Sequence, residues 1–87
     1  SLGLDGDQPL TVGRSRACSL ALSDPDASKE HLRLSWEDGA WVMTDLGSRH
    51  GTLVNGRPAE RAALRPFDRI AIGNTVMIFE SDAARTA

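Results

Sequence analysis

The sequence is short of several things at once. It has one cysteine, Cys18, so no disulfide can close within the chain. It has two histidines, His31 and His50, without the Cys/His spacing of a zinc site, so neither a metal nor any other cofactor is expected. Tyrosine is missing and phenylalanine occurs twice, which argues against the aromatic platforms of single-strand nucleic-acid binders. No charge of one sign dominates. Ten Lys and Arg residues stand against twelve Asp and Glu residues, and the net charge of -2 gives nucleic acid or an anionic membrane no overall field to follow. An anion site would have to be built locally. No apolar run approaches the roughly 20 residues of a membrane span, and no charged-then-apolar signal segment opens the chain. A reducing cytoplasm is the expected compartment. The missing initiator Met fits a piece of a longer protein, and the Arg- and Ala-rich, lysine-poor composition fits a bacterium with a GC-rich genome.

What is present is the pattern of a small β domain. With 87 residues, 40% hydrophobic and 25% charged, the chain has the size and composition of one globular unit with a modest core. Apolar residues alternate at Cys18, Leu20 and Leu22, at Leu32, Leu34 and Trp36, at Trp41 and Met43, at Thr52 and Val54, at Ile70 and Ile72, and at Val76 and Ile78. Turn-forming clusters separate these runs, among them Asp5-Gly6-Asp7, Ser23 to Asp26, Glu37-Asp38-Gly39, Gly47 to Gly51, Asn55-Gly56 and Gly73-Asn74. The expected fold is all-β, an antiparallel β-sandwich or barrel. "PAERAALR", Pro58 to Arg65, has helix-forming composition but meets Pro66 within two turns, so it reads as a helical turn or an irregular strand. Trp36 and Trp41 are expected to supply core area, each burying one face. Counting strand directions places the loop after Leu22 and the loop after Met43 at the same end. Ser28, Lys29, His31, Ser48, Arg49 and His50 can therefore converge, whereas the bend at Gly13 to Arg16 joins them only if its strand lies alongside.

Four segments carry a family resemblance. "VGR" (Val12 to Arg14), "SKEH" (Ser28 to His31), "DLGSRHGTLVNG" (Asp45 to Gly56) and "FDRIAIG" (Phe67 to Gly73), in this order, resemble the forkhead-associated (FHA) domain. The resemblance implies an eleven-stranded β-sandwich over residues 10–80 that binds phosphothreonine peptides through loops at one end. Residues 1–9 would then be an N-terminal remnant or a partial first strand, with that strand reduced or lost, and residues 81–87 a flexible tail or linker. The implied activity is recognition without catalysis. The implied partner is a phosphothreonine-containing protein produced by a Ser/Thr kinase, with no role for nucleic acid or membrane.

Each site residue has a physical reading beside that resemblance. A phosphothreonine brings about -1.5 to -2 charges and three acceptor oxygens, so its receptor needs a permanently charged donor fork and a few neutral donors. Arg14 fits the fork; read alone, it is more readily a solvated arginine at a strand end, and the resemblance reverses that order. Ser28 can donate its hydroxyl, a role compatible with capping its own turn. Lys29 adds positive charge, either as a contact or as a solvated cation. Arg49 stands where the family commonly offers a hydroxyl, and could supply a second guanidinium or remain a surface arginine. His50 replaces the usual asparagine: it tolerates a left-handed turn and can donate one hydrogen bond, but it holds the peptide backbone differently and introduces a group that titrates near neutrality. Gly13, His31, Gly51 and Asn55 are expected to support the loops. Asp26, with Asp24 close by, is expected to select against an acidic residue three positions after the phosphothreonine. Phe67, where the family has glycine, is expected to add packing.

Rival readings are a hydrolase built from Ser28, His31 or His50, and Asp45, which lacks a nucleophile-elbow sequence; a nucleic-acid-binding barrel; and an FHA scaffold that docks without phosphate.

Overall fold

The alternating segments contain strands, and turns or bends fall at the Ser23 to Asp26, Asp38-Gly39, Gly47 to Gly51, Asn55-Gly56 and Gly73-Asn74 clusters, while the turn expected at Asp5-Gly6-Asp7 lies outside the described residues. The computed structural model describes residues 2–4 and 8–81. Among them run ten strands: β1 (Leu2–Leu4), β2 (Leu10–Gly13), β3 (Leu20–Ala21), β4 (Leu32–Glu37), β5 (Ala40–Asp45), β6 (Leu53–Val54), β7 (Arg57–Pro58), β8 (Arg61–Ala63), β9 (Arg69–Ile72) and β10 (Thr75–Ser81). They make two five-stranded sheets, ordered β1-β10-β9-β6-β7 and β3-β2-β4-β5-β8. Pairing is antiparallel except for β1 with β10 and β2 with β3, which are parallel. No helix among the described residues is long and apolar enough to cross a membrane. The expected tail from residue 81 meets the end of β10 at Ser81, and residues 82–87 lie outside the described residues.

Leu32, Leu34 and Met43 from one sheet pack with Ile70, Ile72 and Phe79 from the other, all 2% exposed or less. Burying a side chain of this size contributes about 1.5–3 kcal/mol. β4 and β5 are aligned with Leu34 opposite Met43 and Trp36 opposite Trp41.

Two open readings resolve and two expectations change. "PAERAALR" takes the irregular-strand alternative: Pro58 ends β7 and Arg61–Ala63 is β8, because the β5 edge accepts it, with Val42, Met43 and Thr44 opposite Ala63, Ala62 and Arg61. On β10 the inward residues are Met77 and Phe79, not Val76 and Ile78; Val76 is 59% exposed. Both parities of "VMIF" are apolar, so alternation could not choose. The Gly73-Asn74 turn chooses by setting Val76 opposite Ala71 and Met77 opposite Ile70. Trp36 is 44% exposed and leans edge-on against buried Trp41, with centroids 5.7 Å apart. Phe67 adds no packing to the core. It is 70% exposed and sits at φ 71°, in the left-handed region where glycine rests easily and a bulky residue costs about 1–3 kcal/mol.

Candidate functional site

Gly13 ends β2 and brings the chain against the loop before β4. A Cβ there would lie 2.2 Å from the Lys29 carbonyl oxygen and 2.9 Å from the His31 amide nitrogen, so only glycine permits this approach. The two segments then zip together: the Arg14 amide donates to the Ser28 carbonyl (2.9 Å), the Ser15 amide to the Lys29 carbonyl (3.1 Å) and the His31 amide to the Val12 carbonyl (2.9 Å). The buried Cys18 thiol also points to the Lys29 carbonyl, at 3.1 Å. This settles the placement that counting strands left open, since the Arg14 bend shares its end with the 22–31 loop.

His31 ties in the third loop. Its ring is fully buried. Nδ1 lies 3.0 Å from the Ser28 amide, which can only donate, and Nε2 lies 2.8 Å from the Gly51 carbonyl, which can only accept. The ring is therefore a neutral imidazole in one tautomer, bracing two loops. Both nitrogens are engaged by backbone, so His31 has no lone pair for the Ser28 hydroxyl, and these two residues do not form a nucleophile–base pair.

Asp45, at the end of β5, organises the 46–52 loop. One carboxylate oxygen accepts the Ser48 amide at 2.7 Å, and the other accepts the hydroxyls of Ser48 and Thr52 at 2.5 and 2.7 Å. The Ser48 hydroxyl oxygen in turn accepts the Gly51 amide at 3.0 Å. Gly51 sits at φ 81°, which lets the loop turn back onto the sheet. Burial pushes the Asp45 carboxyl up, but the Ser48 and Thr52 hydrogen bonds outweigh it and hold the group below the ordinary 3.8. A carboxyl depressed in the folded state contributes stability above its unfolded-state value and loses it as pH falls through the lower folded-state value. Asp45→Asn is therefore expected to be less stable than the parent chain at pH 7 by about 1–3 kcal/mol. The difference should shrink below about pH 4, which urea titrations at both pH values check.

Asp24 is the fastener on the other side. It accepts the Asp26 amide (2.9 Å), the Thr75 hydroxyl (2.8 Å) and the Asn74 amide (2.9 Å), which together hold its carboxyl below the ordinary aspartate range. Gly73 makes room for this turn, because a Cβ there would come within 2.7 Å of the Asp26 Cβ. Asp24 is thus turned into the fold and leaves Asp26 as the carboxylate at the site.

These three loops enclose a small cleft of about 100 Å³ lined by Arg14, Pro25, Asp26, Ala27, Ser28, Arg49 and His50. The Ser28 hydroxyl oxygen accepts the Arg49 amide at 3.0 Å, so its own O–H is left to donate elsewhere. Among the described residues neither Arg14 nor Arg49 is in an ion pair. Arg14, Arg49, Ser28 and His50 line the same small space, together with Asp26. Lys29 is exposed but lies outside the lining, and Gly13, His31 and Gly51 stand behind it. Asn55 is elsewhere. Its side chain donates to Asp68 and accepts from the Arg69 amide, both at 2.9 Å, and so fastens the β6–β7 hairpin to the turn before β9.

Sequence reading did not single out Asp45, Ser48 and Thr52 as the loop's frame. The signal was an aspartate three residues before a serine at a strand end, the spacing of a side-chain-to-backbone cap.

The profile of the FHA domain matches residues 10–73. The chain belongs to the FHA domain family. This FHA domain is 37% identical over 73 residues to the FHA domain-containing protein FhaB of Mycolicibacterium smegmatis, covering 83% of this chain and 47% of that protein. It is 35% identical over 74 residues to the glycogen accumulation regulator GarA of the same organism, covering 84% and 47%. The FHA domain thus spans about half the length of these relatives. Among solved structures, the FhaA FHA domain complexed with the intracellular domain of Rv3910 superimposes with a TM-score of 0.79 at 29% identity, covering 84% of this chain and 80% of that one. A structure from a study of phosphothreonine-dependent FHA domain interactions gives the same TM-score and identity, covering 84% and 76%.

Proposed function

We propose that this FHA domain reads phosphothreonine on a partner protein, the product of a Ser/Thr kinase, and brings its parent protein to that partner in the cytoplasm without chemistry of its own. The observation that carries the reading is the cleft, which Arg14, Arg49 and Ser28 line together, with no carboxylate paired to either guanidinium among the described residues. A phosphothreonine-dependent FHA domain among the structural neighbours, and another complexed with the intracellular domain of a second protein, support it.

The roles follow from chemistry. Arg14 is the fixed positive fork, Ser28 the neutral donor and Arg49 the second cation. His50, exposed at the rim, takes the peptide backbone, and Lys29 adds charge from outside the lining. Pro25 and Ala27 give the cleft an apolar wall that would cover the γ-methyl of threonine. A buried methyl group contributes about 0.8 kcal/mol, so phosphothreonine should bind about fourfold tighter than phosphoserine.

Calorimetric titration with matched threonine, phosphoserine and phosphothreonine peptides tests the reading. Binding of the phosphothreonine peptide, with the unmodified peptide silent, supports it. Equal affinity for all three refutes it and leaves a phosphate-independent docking domain in its place.

Asp26 sets a second expectation. With Asp24 turned inward, Asp26 is the one acidic residue lining the cleft. A degenerate phosphopeptide library should be depleted of Asp and Glu three positions after the phosphothreonine, and Asp26→Lys should reverse that preference. Acidic enrichment with the parent chain would remove Asp26 from this role.

A further inference from the structure

The 46–52 loop fixes residue 50 from both sides. The Arg49 amide donates to the Ser28 hydroxyl oxygen and the Gly51 amide to the Ser48 hydroxyl oxygen, both at 3.0 Å, and the Gly51 carbonyl lies 2.8 Å from Nε2 of buried His31. His50 between them is exposed, lines the cleft and makes no ion pair with a carboxylate among the described residues. The charged residues that line the cleft with it are Arg14 from the bend after β2, Asp26 from the 22–31 loop and Arg49 from its own loop. Arg16, Lys29 and Glu30 are exposed and outside the lining. His31 is neutral with both nitrogens on backbone, and the Asp45 carboxylate is engaged by Ser48 and Thr52.

A bound phosphothreonine would change the charge in this space. It brings about -1.5 to -2 charges into a cleft of about 100 Å³. A neutral imidazole offers one donor, whereas the protonated ring offers two and a positive charge. With one N–H on the peptide backbone, only the protonated ring has a second N–H for a phosphate oxygen. Histidine is the side chain whose charge changes between about pH 5 and 8. The asparagine that His50 replaces has no such proton to gain.

We propose that His50 takes up a proton when the phosphopeptide binds, so that this domain holds its partner more tightly as pH falls from about 8 to about 7. The inference rests on the phosphothreonine reading and adds a pH response to the same site. Linkage is reciprocal: if the phosphate favours the protonated ring, protonation favours the phosphopeptide by the same factor. The phosphate's own titration has the opposite sign. Its second pKa is about 6, and the guanidiniums favour the dianion, so it releases a proton on binding. One unit above that value it is already about nine-tenths dianionic, which leaves it at most about 0.1 proton to release at about pH 7. An imidazole of ordinary pKa whose proton affinity rises about tenfold on binding takes up about half a proton at pH 7, and the complex becomes about two- to threefold tighter at pH 7 than at pH 8.

The test is calorimetric titration of the whole chain with a short, N-acetylated phosphothreonine peptide carrying lysine three positions after the phosphothreonine, at about pH 7 and about pH 8, each in two buffers of different ionisation heat. Beside it, the His50 ring protons are followed by NMR from about pH 5.5 to about 8.5, with and without peptide. The chain has two histidines, so the spectrum of His50→Asn assigns them. Expected are about half a proton taken up at pH 7, the tighter complex at pH 7, and a His50 ring that stays protonated to higher pH in the complex. His50→Asn should show neither the uptake nor the tightening. A complex that forms without uptake and leaves the ring's titration unmoved overturns this proposal and leaves the phosphothreonine reading standing. So does an uptake that persists in His50→Asn, which places the proton elsewhere. No binding at either pH refutes the phosphothreonine reading and this proposal with it.

Discussion

Arg14→Ala is expected to weaken phosphothreonine-peptide binding by tenfold to a hundredfold while leaving the thermal melt unchanged. A hydrogen bond to a charged group contributes about 1.5–3 kcal/mol, and each 1.4 kcal/mol is a factor of ten in affinity. The backbone of Arg14 holds the loop through its amide, and that bond to the Ser28 carbonyl survives truncation of the side chain. The guanidinium is exposed and makes no ion pair among the described residues, so the fold does not rely on it. Arg14→Lys should recover part of the loss, since an ammonium keeps the charge but not the two-pronged geometry. Calorimetry on the three chains, with melts followed by circular dichroism, checks both halves. A full-strength Arg14→Ala complex would move the phosphate away from this cleft.

Gly13→Ala should do the opposite and damage both fold and site. The added carbon would sit 2.2 Å from the Lys29 carbonyl oxygen, a backbone atom that cannot swing aside. Three neighbouring hydrogen bonds, from Arg14 to Ser28, Ser15 to Lys29 and His31 to Val12, depend on that approach. Relieving an overpacked contact of this kind costs about 1–3 kcal/mol and occasionally more, a large share of a small domain's stability of about 5–15 kcal/mol. Because Ser28 and His31 move with the displaced segment, phosphopeptide affinity should fall together with the urea midpoint. A variant of unchanged stability and affinity would show that the two loops are not held by this contact.

Much of the fold was legible in the linear pattern, and the exceptions share a cause. Leu32, Leu34, Ile70 and Ile72 alternate with polar or small residues, so their face was readable. In "VMIF" every residue is apolar, and only the register imposed by the Gly73-Asn74 turn decides that Met77 and Phe79 go inside. Pro58 to Arg65 has helical propensity, yet the open edge of β5 pairs with it and overrides that preference. Phe67 looked like added packing because aromatic residues usually bury, but at φ 71° in the turn before β9 it stays 70% exposed.

The candidate site divides in the same way. By itself the sequence determined the chemistry on offer: an arginine after a glycine, a serine three residues before a histidine, and a Ser-Arg-His turn between two glycines, in an order that resembles one family. Only the tertiary structure decided which of those groups face one space. It placed Arg14, Ser28, Arg49 and His50 around a single cleft, left Lys29 outside and Asn55 at a distant hairpin, turned Asp24 inward, and gave both nitrogens of His31 to backbone. The physical reason is that donors and acceptors are properties of residues, whereas convergence depends on contacts between loops far apart in the chain, here a glycine without a side chain and a buried imidazole that joins the two loops across it.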